Sequence, residues 1–213
     1  MYVPEHFKEE RIGVLHDAIR TYGFGTLVTA SEHELEASHL PMLLDPEPAP
    51  FGTVLGHLAR ANPQWQRVKP GIEALAIFLG PNTYITPSWY ATKRQTGKVV
   101  PTWNYLAIHA YGTLSFFDDR DALRAHVSKM TDTHETPRNA PWAVTDAPAD
   151  FVAGMLGAIV GFKLRITRLE GKWKMSQNRP AQDVAGVLEG LKAEPGEAHE
   201  AVADMVAARQ ARN

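Results

Sequence analysis

From Phe24 to Met175 the chain is a succession of short β-branched and aromatic runs, punctuated by turns rich in Gly, Pro and Asp. That rhythm constrains the fold more than any other feature. Phe24–Ala30 and Leu35–Leu44, on either side of the turn SEHE, predict a hairpin. Thr53–Arg60, Glu73–Phe78, Thr83–Thr86, Thr102–Phe117 and Val160–Met175, the last with a break near Gly171, predict further strands. Helices fall between and around them. Phe7, Ile12, Leu15, Ile19 and Tyr22 recur at helical spacing before the stop at Gly23, which predicts a helix over 8–21. Asn62 and Pro63 read as the cap and first residue of a short helix. Asp118 or Asp119 caps another that carries Leu123, His126, Val127 and Met130 on one face. A short helix follows over Ala149–Ala158, and the tail patterns 181–192 and 197–209 flank the Pro195-Gly196 stop. Strands and helices do not alternate, as they would around a parallel sheet. The pattern predicts a mostly β protein with peripheral helices, built on a small closed or split antiparallel barrel, with the tail helices as an arm.

Composition narrows the functions. Absence of cysteine excludes disulfides and thiolate metal sites, and suits a cytoplasmic location. No apolar run reaches the roughly 20 residues of a bilayer span, and MYVPEHFKEER lacks the order of a secretory signal. A formal net charge of −2 gives no global attraction to nucleic acid. The nine histidines form no helical zinc motif, and no GxSxG, P-loop or GxGxxG is present.

Three stretches carry chemistry. In HLARANPQWQ a strand delivers Arg60 to a helix start capped by Asn62. Free N–H groups and a guanidinium there suit a phosphate, and they equally suit an ordinary cap beside a surface arginine. In GPNTYITPSWYATKRQTGKVVPTWNY, aromatic residues including Trp89, Tyr90, Trp103 and Tyr105 accompany Lys93, Arg94 and Lys98 without one carboxylate. As a loop, it would stack on a planar ligand, close a dimer, or do both. FKLRITRLEGKWKMSQNRP sets Lys163, Arg165, Arg168, Lys172, Lys174 and Arg179 against Glu170 alone. Strand alternation puts Lys172 and Lys174 on one face and Trp173 on the other. A solvated edge strand guarded by lysines is the alternative.

MYVPEHF, ASHLPMLLD, GHLARANPQW, GPNTYITPSWY, KVVPTWNY, IHAYG and LEGKWKMSQNRP together resemble the PaiB-like family of FMN-binding negative transcriptional regulators, from Met1 to about Leu191. The resemblance implies an FMN-binding split barrel over residues 1–192, similar to the pyridoxamine-phosphate oxidases, with 193–213 as a helical extension. It implies a homodimer with flavin at the subunit interface. Arg60, Asn62 and Gln64 would then hold the flavin phosphate, and Ser38, His39 and Leu40 would lie along the isoalloxazine. Trp103 and Asn104 would approach from the partner chain, with Lys172, Lys174 and Gln177 nearby and Lys93 in the same aromatic stretch. The family label brings DNA with it, yet residues 180–213 hold six acids against three bases, a poor surface for duplex DNA. Three other classes stay open. One is a flavin-dependent oxidoreductase acting on a small substrate or nicotinamide donor. Another is a haem-binding split barrel with His39 or His57 as axial ligand. The last is a barrel with an empty cleft.

Overall fold

The computed structural model describes residues 1–211. Among them the strands are β1 (Lys8–Glu9), β2 (Phe24–Ala30), β3 (Leu35–Pro41), β4 (Leu43–Asp45), β5 (Thr53–Ala59), β6 (Ala74–Ile85), β7 (Thr102–Phe117) and β8 (Ile159–Lys174). The helices are α1 (Ile12–Thr21), α2 (Gln64–Arg67), α3 (Ala91–Thr96), α4 (Arg120–Glu135), α5 (Ala149–Gly157), α6 (Ala181–Ala193) and α7 (Glu197–Gln210). One sheet runs in the order β3-β2-β6-β7-β8-β5-β4, with β1 added on β8. The defined registers, such as Leu27 opposite Ser38 and His57 opposite Gly161, are antiparallel. No described helix is long and apolar enough to cross a membrane.

Several boundaries differ from expectation for physical reasons. Helix α1 starts at Ile12 because Lys8 and Glu9 are extended and pair with Lys172 and Gly171 of β8. The same pairing covers the expected break at Gly171, so β8 is continuous and is no edge strand. The two short strands around residue 80 are one, β6. Its buried positions run Ala74, Ala76, Phe78 and then Thr83, Ile85, a slip of one residue that hides the period from a sequence reading. The aromatic stretch is mostly not a loop. It holds the end of β6, a 3₁₀ turn at Pro87–Trp89, α3 and the start of β7.

The chain clusters into two compact units. One comprises residues 16–78 and 109–169. Leu27, Val54, Leu58, Phe78, Phe162 and Leu164 fill its core, and Leu123, Val144, Val152 and Leu156 form a second cluster under α4 and α5. The other comprises 1–15, 79–108 and 170 onward. Its core includes Ile85, Tyr90, Leu106, Met175, Val187 and Leu191. Helix α6 approaches the 3₁₀ turn so closely that a Cβ on Gly190 would lie 2.3 Å from the Trp89 ring, and one on Gly186 would collide with the Trp89 carbonyl. Helix α7 packs on α6 and buries Val202, Ala203 and Val206, so the tail is not an arm.

Glu9 ties this second unit together. Its carboxylate is 3% exposed and accepts hydrogen bonds from Arg11 and, at 2.6 Å, from Arg209 of α7. Burial alone would push the carboxyl up. The Arg11 guanidinium and backbone N–H together with Arg209 overcome it and hold it to about 2, against an ordinary 4.5. The stabilisation from this depressed carboxyl is therefore complete above about pH 4.5 and is lost as pH falls toward 2. Arg209→Ala is expected to lower unfolding free energy by about 1–2 kcal/mol at neutral pH. In urea denaturation the gap to the parent should narrow as pH falls through that window; a gap independent of pH would mean Arg209 acts through packing alone.

Candidate functional site

Strand β3 and helix α2 bring together the first group of residues. Gln64 is 1% exposed, at the start of α2. Its amide nitrogen reaches Thr29 Oγ1 at 3.0 Å, the Glu36 carbonyl at 3.2 Å and the Leu27 carbonyl at 3.3 Å. Its amide oxygen accepts from the Ser38 hydroxyl. Ser38 Oγ also accepts from Asn62 Nδ2 at 3.0 Å, while Asn62 Oδ1 accepts the Gln64 N–H at 3.0 Å. Asn62 thus does cap the turn, although helix geometry begins at Gln64 rather than Pro63. The amides of Asn62 and Gln64 are consumed in holding the β2–β3 hairpin to the strand–helix junction.

Arg60 is consumed as well. Its Nε donates to the Gly157 carbonyl at 2.9 Å and its Nη2 to the Ile159 carbonyl at 3.0 Å, with Asp118 at 3.6 Å from Nη1. Gly157 ends α5, so the guanidinium satisfies a helix C-terminal carbonyl and the first carbonyl of β8. It works as a clamp between elements, and an incoming phosphate would have to displace these contacts. His39 is exposed, with Nδ1 2.9 Å from Thr26 Oγ1, and Leu40 is half-buried.

The other expected residues lie in the second unit, where β7 and the end of β8 meet the turn Met175–Arg179. Lys172 is 9% exposed, and its ammonium donates to the Tyr2 carbonyl at 3.1 Å. It stands 5.3 Å from the centre of the Tyr105 ring, and Lys174 stands 6.0 Å from the same centre, so both lysines share a face. Trp173 is buried beside Arg209. Lys174 donates to Thr102 Oγ1 and borders a cavity of about 130 Å³ lined also by Phe7, Asn104, Ser176, Asn178 and Arg179. Two cations face this cavity, and no carboxylate lines it. Burial, reinforced by Lys172 and Arg179, pushes the Lys174 ammonium down from its ordinary value. Glu170, the sole acid of the basic stretch, meets the N-terminal ammonium.

The turn beneath the cavity is strained. Ser176 has φ of 64°, a left-handed conformation unfavourable for a residue with a Cβ. Asn104, fully buried, holds it by donating to Ser176 Oγ at 3.0 Å. Gln177 closes the turn, accepting the Met175 N–H and donating to the Trp173 carbonyl. Asn104 and Gln177 therefore shape the cavity and are not free ligands. Trp103 is 52% exposed, edge-on to Tyr84 at 6.2 Å, and Lys93 donates to Ser88 Oγ at 3.0 Å. Arg179, Thr102 and Asn178 join the cavity, although the sequence does not mark them as binding residues. Arg179 belongs to the basic stretch, but nothing local signals that β7 would set Thr102 against it.

The family model described as "Putative FMN-binding domain" matches residues 1–168. An uncharacterised protein of Aspergillus fumigatus is 35% identical, over 90% of this chain and 91% of that protein. Protease synthase and sporulation protein PAI 2 of Bacillus subtilis is 32% identical, over 91% of this chain and 90% of its own length. Among solved structures, the FAD and haem binding protein of Mycobacterium smegmatis superposes with a TM-score of 0.57 at 15% identity, over 78% of this chain and 73% of that one.

Arg60→Ala is expected to cost about 1–3 kcal/mol of stability through the two freed carbonyls. Thermal melts with and without bound flavin should show the same loss. A loss confined to the flavin-bound form would return Arg60 to the phosphate.

Proposed function

The chain belongs to the FMN-binding domain family, with the antiparallel split-barrel fold and FMN as its cofactor, and from that premise we propose where the flavin is held and what it serves. Lys174 and Arg179 hold the phosphate, supported by Thr102 and with Lys172 adding charge from the same strand face. The observation that carries this is the convergence of cations on a polar cavity without a carboxylate in its lining. Burial first, and then the neighbouring Lys172 and Arg179, lower the Lys174 pKa, and a dianionic phosphate would offset the repulsion among these cations. A volume of about 130 Å³ suits a phosphate group and is far too small for a three-ring isoalloxazine, so the ring lies outside it. A second copy of the chain covers Trp103 and Tyr84, which are 52% and 46% exposed, and the protein works as a homodimer with flavin at that interface. The flavin supplies redox chemistry when bound; the protein's own residues supply charge and position.

The biological role is regulation of the PaiB type, supported by the Bacillus subtilis relative whose name refers to sporulation. It acts without direct operator reading. Helices α6 and α7 bury their apolar faces against one another, and five acids lie along them with Glu194 between. No specific footprint on duplex DNA is expected at about 10⁻⁸ M, where specific readers bind at physiological salt. A competitor-resistant footprint at that concentration would overturn this.

The decisive comparison is FMN against riboflavin, which differ by the phosphate. Replacing Lys172 and Lys174 by alanine should weaken FMN by about ten- to a hundredfold, the worth of charge-assisted hydrogen bonds. Riboflavin should change little, and the FMN deficit should shrink as salt is raised. Equal losses for both ligands would place the phosphate elsewhere. Purified protein should show flavin absorption, and a Soret band in its place would sink the flavin assignment.

A further inference from the structure

A second cavity, of about 410 Å³, lies wholly within the other unit, on the side of β5 faced by α4 and α5. It shares no residue with the cavity bordered by Lys174 and Arg179. Val144, Ile159 and their neighbours form its floor; Trp142, Phe151 and Met155 stand around it, 47%, 58% and 52% exposed. Three large apolar side chains left open around one concavity are unusual on a protein surface. The lining holds no charged residue. Its hydrogen-bonding side-chain groups are His57 Nε2 and Trp142 Nε1, and neither has a protein partner among the described residues.

His57 is oriented from behind. Its Nδ1 lies 3.2 Å from Nε2 of His126, a residue of α4 that is 6% exposed. The rings meet edge-on, 5.4 Å apart at 77°. Burial pushes the His57 pKa down; burial, then His57 and Lys129, pull His126 to about 4. At neutral pH the pair is uncharged and shares one hydrogen bond. If His57 donates through Nδ1, its Nε2 is an acceptor facing a ligand. If His126 donates, His57 Nε2 carries the proton and is a donor. The pair thus adapts to a ligand hydroxyl or carbonyl by exchanging tautomers, without acquiring charge. A charged ligand would lose its water in this cavity and find no counter-ion.

We infer that this cavity binds an uncharged aromatic molecule of one or two rings, with a hydroxyl or carbonyl oxygen on His57 Nε2 and its rings against Trp142, Phe151 and Met155. The volume lies in the range of small-ligand pockets, about 300–1,000 Å³. A regulator of the PaiB type would have here a port for a small organic signal, separate from its flavin.

The test uses the flavin-loaded protein and two probes of the same ring system, 2-naphthol and naphthalene-2-sulfonate, in titration calorimetry. Naphthol should bind, and the sulfonate should bind at least about tenfold more weakly, since its charge would be buried unpaired. Met155→Glu, at the exposed rim, should abolish naphthol binding while leaving flavin content and melting temperature unchanged. His57→Phe should weaken naphthol about fivefold, the worth of one neutral hydrogen bond. If His57→Phe fails to fold, the rim variant decides alone. Absence of naphthol binding, equal binding of the two probes, or naphthol binding undiminished in Met155→Glu (as stacking on the flavin would give) overturns the inference.

Discussion

A single buried amide organises the first unit. Gln64 has almost no contact with water, so each of its polar atoms must find a partner inside the protein. It finds them on β2, on β3 and at Ser38, and Ser38 in turn is fixed by Asn62. The hairpin, the end of β5 and the start of α2 are thereby locked in one arrangement. Removing the amide would strand several groups at once, each at about 1–3 kcal/mol. The junction that most resembles a ligand site in the sequence is in this way committed to architecture, and Arg60 beside it is committed to the end of α5.

The second unit shows the opposite economy. Lys174 and Arg179 face a polar cavity whose lining offers no acid, and a strained serine is kept in place beneath them. A fold tolerates strain and repulsion where something compensates them. An anion is the simple compensation here. In the first unit the Gln64 amide and the Arg60 guanidinium are occupied within the protein, whereas in the second Lys174 and Arg179 border a cavity without an acid, and this contrast is what supports the phosphate site proposed above.

Much of this was legible in the sequence wherever the signal was local. The hairpin, the long strand Thr102–Phe117, the Asp119 cap and both tail helices follow from periodicity and punctuation. The pairing of Lys172 and Lys174 on one face follows from alternation along a strand. What could not be read depends on partners far along the chain. Nothing near Lys8 announces β8, and without that pairing the basic strand looks like an edge. The slip within β6 erases a period that would otherwise have joined two strands into one. Arg60 looks free because its carbonyl partners are about a hundred residues away. The partnership of His57 with His126 links a strand to a helix by a contact that no spacing rule encodes.

Strand β8 ends at Lys174, whereas the family match ends at residue 168. A fragment trimmed to the matched region would stop in mid-strand. It would lose the positions opposite β1, together with Met175, Val187 and Leu191, and leave their apolar neighbours uncovered. Such a fragment would have a ragged sheet terminus and a hollowed interior, the conditions for aggregation and rapid proteolysis. Bounds for recombinant production, and for domain exchange between relatives, therefore belong beyond α7, whose Arg209 reaches Glu9.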